Sequence, residues 1–417
     1  MRPVDKNRLG YKHTLLGWIP EQWEIRKLRD ILKEAKLGGN YENAEANNGV
    51  PVIKMGNLGR GTMKIERIQY LPENEIYNEQ DILKKGDLLF NTRNTLELVG
   101  KVALWKNELP FAVYNSNLMR MKFDEAFVAS SWFMNYAFNS QYILNQLRGI
   151  ATGTTSVAAI YSRDLETVKF ALPSLPEQKV IARALFIWDE AIAKTHQLIA
   201  RLQQRNKGLV QQLLTGKKRV KIFKEKWKKL HIIDVAKEVS LKNRDNKILT
   251  VMSCTKYDGL VPSLEYFGRR VFGSDTSTYK VVPLNHFAYA TNHIEEGSIG
   301  YQNSFKEALI SPMYTVFKTN NQVHDNFLYK LLKSHHYIHE YNKHMEGSID
   351  RRGGLRWDAF SKIVVHLPEI DEQIAIASFL SYTEQEINLY EQKLTALQQQ
   401  KKALMQKLLT GEIRVKI

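Results

Sequence analysis

Two stretches of this chain carry apolar residues at alternating steps of four and three. In the first the positions are Ile181, Leu185, Trp188, Ile192, Thr195, Ile199, Leu202, Asn206, Leu209 and Leu213; in the second they are Ile376, Leu380, Thr383, Ile387, Tyr390, Leu394, Leu397, Lys401, Leu404 and Leu408. A seam kept for that many turns predicts a long helix whose stripe is covered by another helix. The alternative is two surface helices, each packed on its own domain. Asn206 and Lys401 break the two seams at the same place, and polar seam residues of this kind fix register. Ser174-Leu175-Pro176-Glu177 predicts a capping box, with Ser at N-cap and Glu at N3. The second stretch starts with Pro368 and the acidic Glu369, Asp371 and Glu372, which suit a helix N-terminus. Both end in Thr-Gly, where Gly216 and Gly411 are predicted to turn left-handed. Each helix would be about 60 Å long at 1.5 Å per residue.

The two stretches are copies. "LPSLPEQKVIARAL" from Leu172 lies over "LPEIDEQIAIASFL" from Leu367, and the match runs ungapped to Ile222 over Ile417. The closing "QQLLTGKKRVKI" returns as "QKLLTGEIRVKI" at 406–417. A fainter echo precedes each copy. "WEIRKLRDIL" (23–32) resembles "WKKLHIIDVA" (227–236), and "GDLLFNTRN" (86–94) resembles "NHFAYATNH" (285–293), each read as a buried strand followed by a polar loop. The order is domain, helix, domain, helix, so the repeat predicts two similar mixed α/β domains joined by two long antiparallel helices about a pseudo-twofold axis, an α+β class. Such pairing would put two equivalent modules at the ends of a rod. It also predicts that Gly411 lies near residues 18–23, as Gly216 lies near Trp227.

Composition narrows the function. At 417 residues the chain is long enough for two or three domains. Sixty Lys+Arg against 44 Asp+Glu give +16, a balance that favours a polyanionic partner, most often nucleic acid. No apolar run reaches the roughly 20 residues of a membrane span, and the N-terminus has no secretory h-region. The lone Cys254 forms no intrachain disulfide and has no companions for a metal site, so a reducing, cytoplasmic setting is expected.

The motifs "IPEQWEIRKLRDI" (19–31), "LPEQKVIARAL" (175–185), "LPEIDEQIAIASFL" (367–380) and the "LLTG" closing each helix resemble those of the specificity subunits of type I DNA restriction–modification systems, along the whole chain and in domain order. The resemblance implies a first target-recognition domain at 1–172, a spacer helix at 173–216, a second recognition domain at 217–366 and a second spacer helix at 367–417. Each domain would read one half of a split site in double-stranded DNA. The helices would set the spacing and dock two methyltransferase subunits, to which restriction (motor–nuclease) subunits add. It implies no active site and no cofactor in this chain, with S-adenosylmethionine, ATP and Mg on the partner subunits. Asp371 stands where the first copy has Pro176, a departure that touches the helix cap alone.

Enzyme signals are weak. "GNLGRG" (56–61) is followed by "TMKIERIQYLP", which reads as a strand, not the helix a cofactor loop needs. No Walker A pattern and no Asn/Asp-Pro-Pro-aromatic methyltransferase signature occurs. In "HHYIHEYNKH" (335–344) the spacing misses the HExxH zinc pattern; His335 and His339 share a face only as i, i+4 neighbours. The competing non-enzymatic reading is a coiled-coil scaffold whose domains bind protein.

Base reading needs Arg, Asn, Gln or Lys at groove edges, and phosphate contacts need cations and small polar groups. In the first domain the candidates are Asn91, Arg93 and Asn94 after the strand "DLLF", and Thr154, Thr155 and Ser156 before "TVKFALP". The matching candidates in the second are Asn292 and His293, and Ser348, Arg351, Arg352 and Arg356. Lys54, Arg269 and Arg270 are candidate phosphate contacts. For any single residue the alternative is a solvated surface charge.

Overall fold

The computed structural model describes residues 9–42, 49–154, 156–220, 222–345 and 354–417. Two helices of 40 residues each, Leu175–Leu214 and Ile370–Leu409, carry the seams. The chain forms two compact α+β units, Met1–His196 with Lys393–Ile417, and Gln197–Gln392. Each unit thus owns one half of each long helix. The halves run antiparallel within a unit. In the first, Glu177 meets Arg414 and Asp189 meets Lys401; in the second, Asn206 meets Thr383 and Arg219 meets Glu372.

No seam residue is exposed, and Ile181, Leu185, Ile376 and Leu380 are fully covered. The two polar interruptions are satisfied differently. Asn206 Oδ1 accepts a bond of 2.8 Å from the Thr383 hydroxyl. Lys401 donates to Asp189 at 2.5 Å and sits 5.3 Å from the ring centroid of Tyr136. A polar group on the seam is costly without a partner, so each one ties the register to a specific neighbour.

The helix starts correct the capping-box expectation. Glu177 does not return to the Ser174 backbone. Its carboxylate, buried in the unit, accepts from Trp23 Nε1 at 3.1 Å and from Arg414 Nε and Nη2 at 2.6 and 3.0 Å. Glu372 does the same with Trp227 Nε1 at 3.3 Å and Arg219 Nε and Nη2, both at 2.6 Å. The adjacent glutamines clip helix to domain. Gln178 donates to Pro173 and Phe127 carbonyls and accepts from Ala129 N; Gln373 donates to Pro368 and Gln322 carbonyls and accepts from His324 N. "Glu-Gln" at each helix start and "Arg-Val-Lys-Ile" after each helix end are therefore two halves of one joint.

The helix ends behave as expected. Gly216 and Gly411 have φ of +69° and +71°, open to glycine at no steric cost. A Cβ on Gly411 would stand 2.4 Å from the Pro20 ring, and one on Gly216 would stand 3.4 Å from Trp227. The second tail thus closes on the entrance of the first domain, and the first tail on the entrance of the second.

The two domains repeat one topology. Each centres on a four-stranded antiparallel sheet, in the order Leu32–Leu37, Leu118–Phe123, Leu88–Asn91, Val102–Leu104 in the first and Ala236–Glu238, Tyr314–Thr319, His286–Ala290, Ile299–Gln302 in the second. The faint "GDLLFN"/"NHFAYA" echo is the third strand of each. Two helices follow the sheet, Ser131–Phe138 and Gln141–Ile150, or Asp325–Leu332 and His335–His344. The entry and exit strands pair at the base: Glu24–Lys27 with Lys169–Leu172, and Lys228–His231 with Val364–Leu367. The shared aspartate of the first echo caps the single helical turn after the entry strand. Asp30 accepts from Lys27 N and Asp234 from His231 N. The expected strand at 62–72 is corrected. Only Gln69–Tyr70 is strand, and the rest is loop, because the buried Asn57 amide takes the Lys64 and Arg67 carbonyls that a sheet ladder would use.

Candidate nucleic-acid interface

In the first domain the two loops expected from sequence come together. Strand Arg93–Asn94 pairs with Ala158–Ala159, which pairs in turn with Thr152–Gly153. Thr154 and Ser156 occupy the exposed tip of that hairpin, their hydroxyls 3.1 Å apart; Thr155 lies outside the described residues. Gly153, at φ +129°, makes the tip possible, since a Cβ there would meet the Val157 carbonyl at 2.3 Å. Arg93 is exposed, and among the described residues no carboxylate lies within ion-pair distance of it. Asn94 is half-buried and caps Thr95 N.

Asn91 corrects the surface reading. It is the last residue of a strand buried on both faces, and its side chain is fully covered. Its Oδ1 accepts from Arg93 N at 3.2 Å, so it shapes the turn that presents Arg93. Its Nδ2 has no partner among the described residues.

The second domain uses the same juncture. Leu355 N donates to the Thr291 carbonyl, and Gly354 packs so tightly that a Cβ would stand 2.5 Å from Asn292 Oδ1. Arg356 follows directly, exposed at the start of the short helix Trp357–Phe360. Ser348, Arg351 and Arg352 lie outside the described residues. His293 is exposed and leans on Glu296, 3.6 Å away. His293, Glu295 and Glu296 bring ligand atoms within 4.8 Å of one another, the one such grouping among the described residues. His335 and His339 lie exposed on the helix His335–His344.

The phosphate candidates belong to other segments. Arg269 and Arg270 follow the helix Ser263–Phe267 on a segment that also exposes Tyr266, Phe267 and Val271. Arg270 is held by the Gly273 carbonyl and stands 4.9 Å from the Phe272 ring centroid. Lys54 lines a concavity with Lys64 and Arg67, its Nζ bonded to Gln69 Oε1 at 2.7 Å.

The residue that organises this concavity is one sequence reading missed. Asn57 is buried, accepts from Lys54 N at 2.9 Å, and donates to the Lys64 and Arg67 carbonyls at 3.0 and 2.9 Å. The "GNLGRG" segment is thus a fixed loop presenting cations. An Asn between two glycines was the available signal, since Asn and Gly favour such turns.

Residues 20–204 match the family model described as the type I restriction modification DNA specificity domain. Over 98% of this chain and 97% of the relative, the sequence is 26% identical to a putative type I restriction enzyme specificity subunit, MjaX, of Methanocaldococcus jannaschii. A chain from a structure concerned with complex assembly and conformational transition of the type I R-M system aligns with a TM-score of 0.60 at 15% identity, covering 95% of this chain and 99% of its own. The type I restriction–modification S subunit of M. genitalium aligns with a TM-score of 0.53 at 16% identity, over 95% and 96% of the two chains. With a doubled domain, a doubled helix and this likeness along nearly its whole length, the chain is similar throughout to the specificity subunits of type I restriction–modification systems and carries their DNA specificity domain at 20–204.

Proposed function

We propose that this chain is the DNA-recognition subunit of a type I restriction–modification complex, each domain reading one half of a bipartite site. The observation that carries the residue assignment is the duplicated juncture. In both domains the loop after the third sheet strand meets a second polar segment, with Arg93 and Thr154 presented in one and Arg356 and His293 in the other. Equivalent frames with different side chains suit two half-sites of different sequence. The remaining candidates, Lys54, Arg269 and Arg270, would hold phosphates.

The continuous helices serve as the spacer between the half-sites and as the docking surface for two methyltransferase subunits. Restriction subunits add to that assembly, and S-adenosylmethionine, ATP and Mg belong to those partners. The likeness to type I specificity subunits and the +16 charge support this reading.

The test is a mobility shift with the chain assembled on its methyltransferase subunits, using a duplex with the recognition sequence and one of mixed sequence. Arg93→Ala and Arg356→Ala should each weaken binding to the recognition duplex by about 1–3 kcal/mol and leave the mixed duplex little changed. Unchanged affinity for the recognition duplex in both variants would sink the residue assignment. A wild-type complex that binds neither duplex would sink the function.

A further inference from the structure

The first domain gathers cations that no carboxylate of its own pairs at contact distance, Glu97 acting on Arg60 and Lys101 only from farther off. Arg60 projects from a loop fixed on three sides: Gly59 N donates to the Thr62 carbonyl, Gly61 N to Val102, and Asn135 Nδ2 to the Gly61 carbonyl. Its guanidinium donates to the Glu97 backbone carbonyl at 3.0 Å, not to a carboxylate. Lys101 is half-buried just before the strand Val102–Leu104, close to Lys64 and Arg60. Arg148, in the last turn of the helix Gln141–Ile150, faces Arg60 across a groove of about 900 Å³ that Lys402 and Gln398 border from the second long helix. Lys64 continues the series into the concavity it shares with Lys54 and Arg67. Among the described residues, none of Arg60, Lys64, Lys101 and Arg148 stands within 4.0 Å of a carboxylate. Other cations of this domain are paired: Arg120 has Asp87 at 3.5 Å, and Lys122 has Glu34 at 2.8 Å.

Burial and mutual repulsion act together here. Burial first, and Arg148 second, hold the Arg60 guanidinium below its ordinary range; burial, Lys64 and Arg60 do the same to the Lys101 amine. Glu97 offsets part of this from beyond ion-pair distance, and like charges gathered with so little counter-charge cost the free protein stability. The groove is open, and its cations follow one another from one concavity to the next. That suits a linear polyanion better than a single small anion. Guanidinium, ammonium and amide groups are also the donors that hold nucleic-acid phosphates.

We infer that Arg60, Lys64, Lys101 and Arg148 form a phosphate-backbone track on the first domain, beside the base-reading juncture and distinct from it in role, which seats the duplex without regard to sequence. The inference rests on the DNA-recognition reading above. It adds residues spread over 89 positions of sequence that no motif connects.

The experiment uses the full chain with its methyltransferase subunits and the variants Lys101→Met, Arg148→Gln and Arg148→Lys. Affinity is measured against salt for the recognition duplex and the mixed duplex. Lys101→Met and Arg148→Gln should weaken both duplexes by the same factor and flatten the log–log salt slope by about 0.9 each. Arg148→Lys should keep the wild-type slope. The free chains of the two charge-removing variants should melt no lower than wild type, since a repulsion has been relieved. An unchanged slope while wild type binds would overturn the track and leave the recognition function standing. So would loss on the recognition duplex alone, which is base reading. Failure to assemble with methyltransferase at an unchanged DNA slope would mean that the patch docks protein, and would also overturn it. A wild-type complex that binds neither duplex would fell the parent reading itself.

Discussion

Replacing Arg414 by Met tests the joint that closes the chain on itself. The change strands the Glu177 carboxylate, which is 2% exposed, with Trp23 Nε1 as its remaining donor. Breaking a buried ion pair from one side costs about 3–5 kcal/mol. Arg414 is itself 36% exposed, so water reaches the vacated site and the cost falls to about 2 kcal/mol. For a unit of this size that is about 4–8 °C in Tm. The two-unit chain will not unfold in one step, so native-state hydrogen exchange is the better assay. Opening free energies should fall for amides of 18–31 and 177–188 and stay constant in the second domain. A double-mutant cycle sharpens the point. Glu177→Met with Arg414→Met removes both charges, and should recover at least ~1 kcal/mol relative to the sum of the singles. Arg414→Met with Glu372→Met should be additive, since each belongs to a different joint. A Glu177–Arg414 coupling below ~0.5 kcal/mol would refute the view that this pair closes the first unit.

The other expectations are simpler. Gly411→Ala and Gly216→Ala each incur about 1–2 kcal/mol for a left-handed φ, but only the first adds a clash, its Cβ standing 2.4 Å from the Pro20 ring; thermal melts should show Gly411→Ala as clearly the worse, and equal shifts would contradict the docking described. Burial pushes the Cys254 thiol up to about 12, so the native chain should resist maleimide at pH 8.5 and label only on unfolding; rapid stoichiometric labelling of folded protein would contradict it. Asn57→Ala removes three hydrogen bonds from a buried site, at about 2–3 kcal/mol local to the loop; limited proteolysis should then cut within 54–69, and a loop still resistant would show that Asn57 is not its organiser.

The repeated helices were legible because their signals are local. A four–three seam, a terminal Gly and a twice-written tail need no knowledge of the rest of the chain, and the seam residues, the left-handed glycines and the tail docking are found as read. Glu177 was misread for the opposite reason. An acidic residue three places after Ser looks like a capping box, while its true partners lie 154 and 237 residues away. Asn91 looked like a loop residue because it adjoins polar neighbours, yet both faces of its strand are covered. The segment 62–72 reads as a strand because nothing in the sequence shows that a buried Asn57 already holds its backbone. The cation track was illegible from the start: Arg60 and Arg148 meet only through tertiary packing.

The closing of the first unit by residues 393–417 also bears on how the chain matures during synthesis. Nascent chains generally fold their domains in the order they emerge. Here Leu408 and Leu409 complete the core around Ile181 and Leu185, so the unit begun first is the last to have all its parts. The unit Gln197–Gln392 is fully translated while its predecessor still shows an uncovered helix stripe to chaperones. A ribosome stalled before residue 393 would therefore release a chain whose lesion is felt in its first unit.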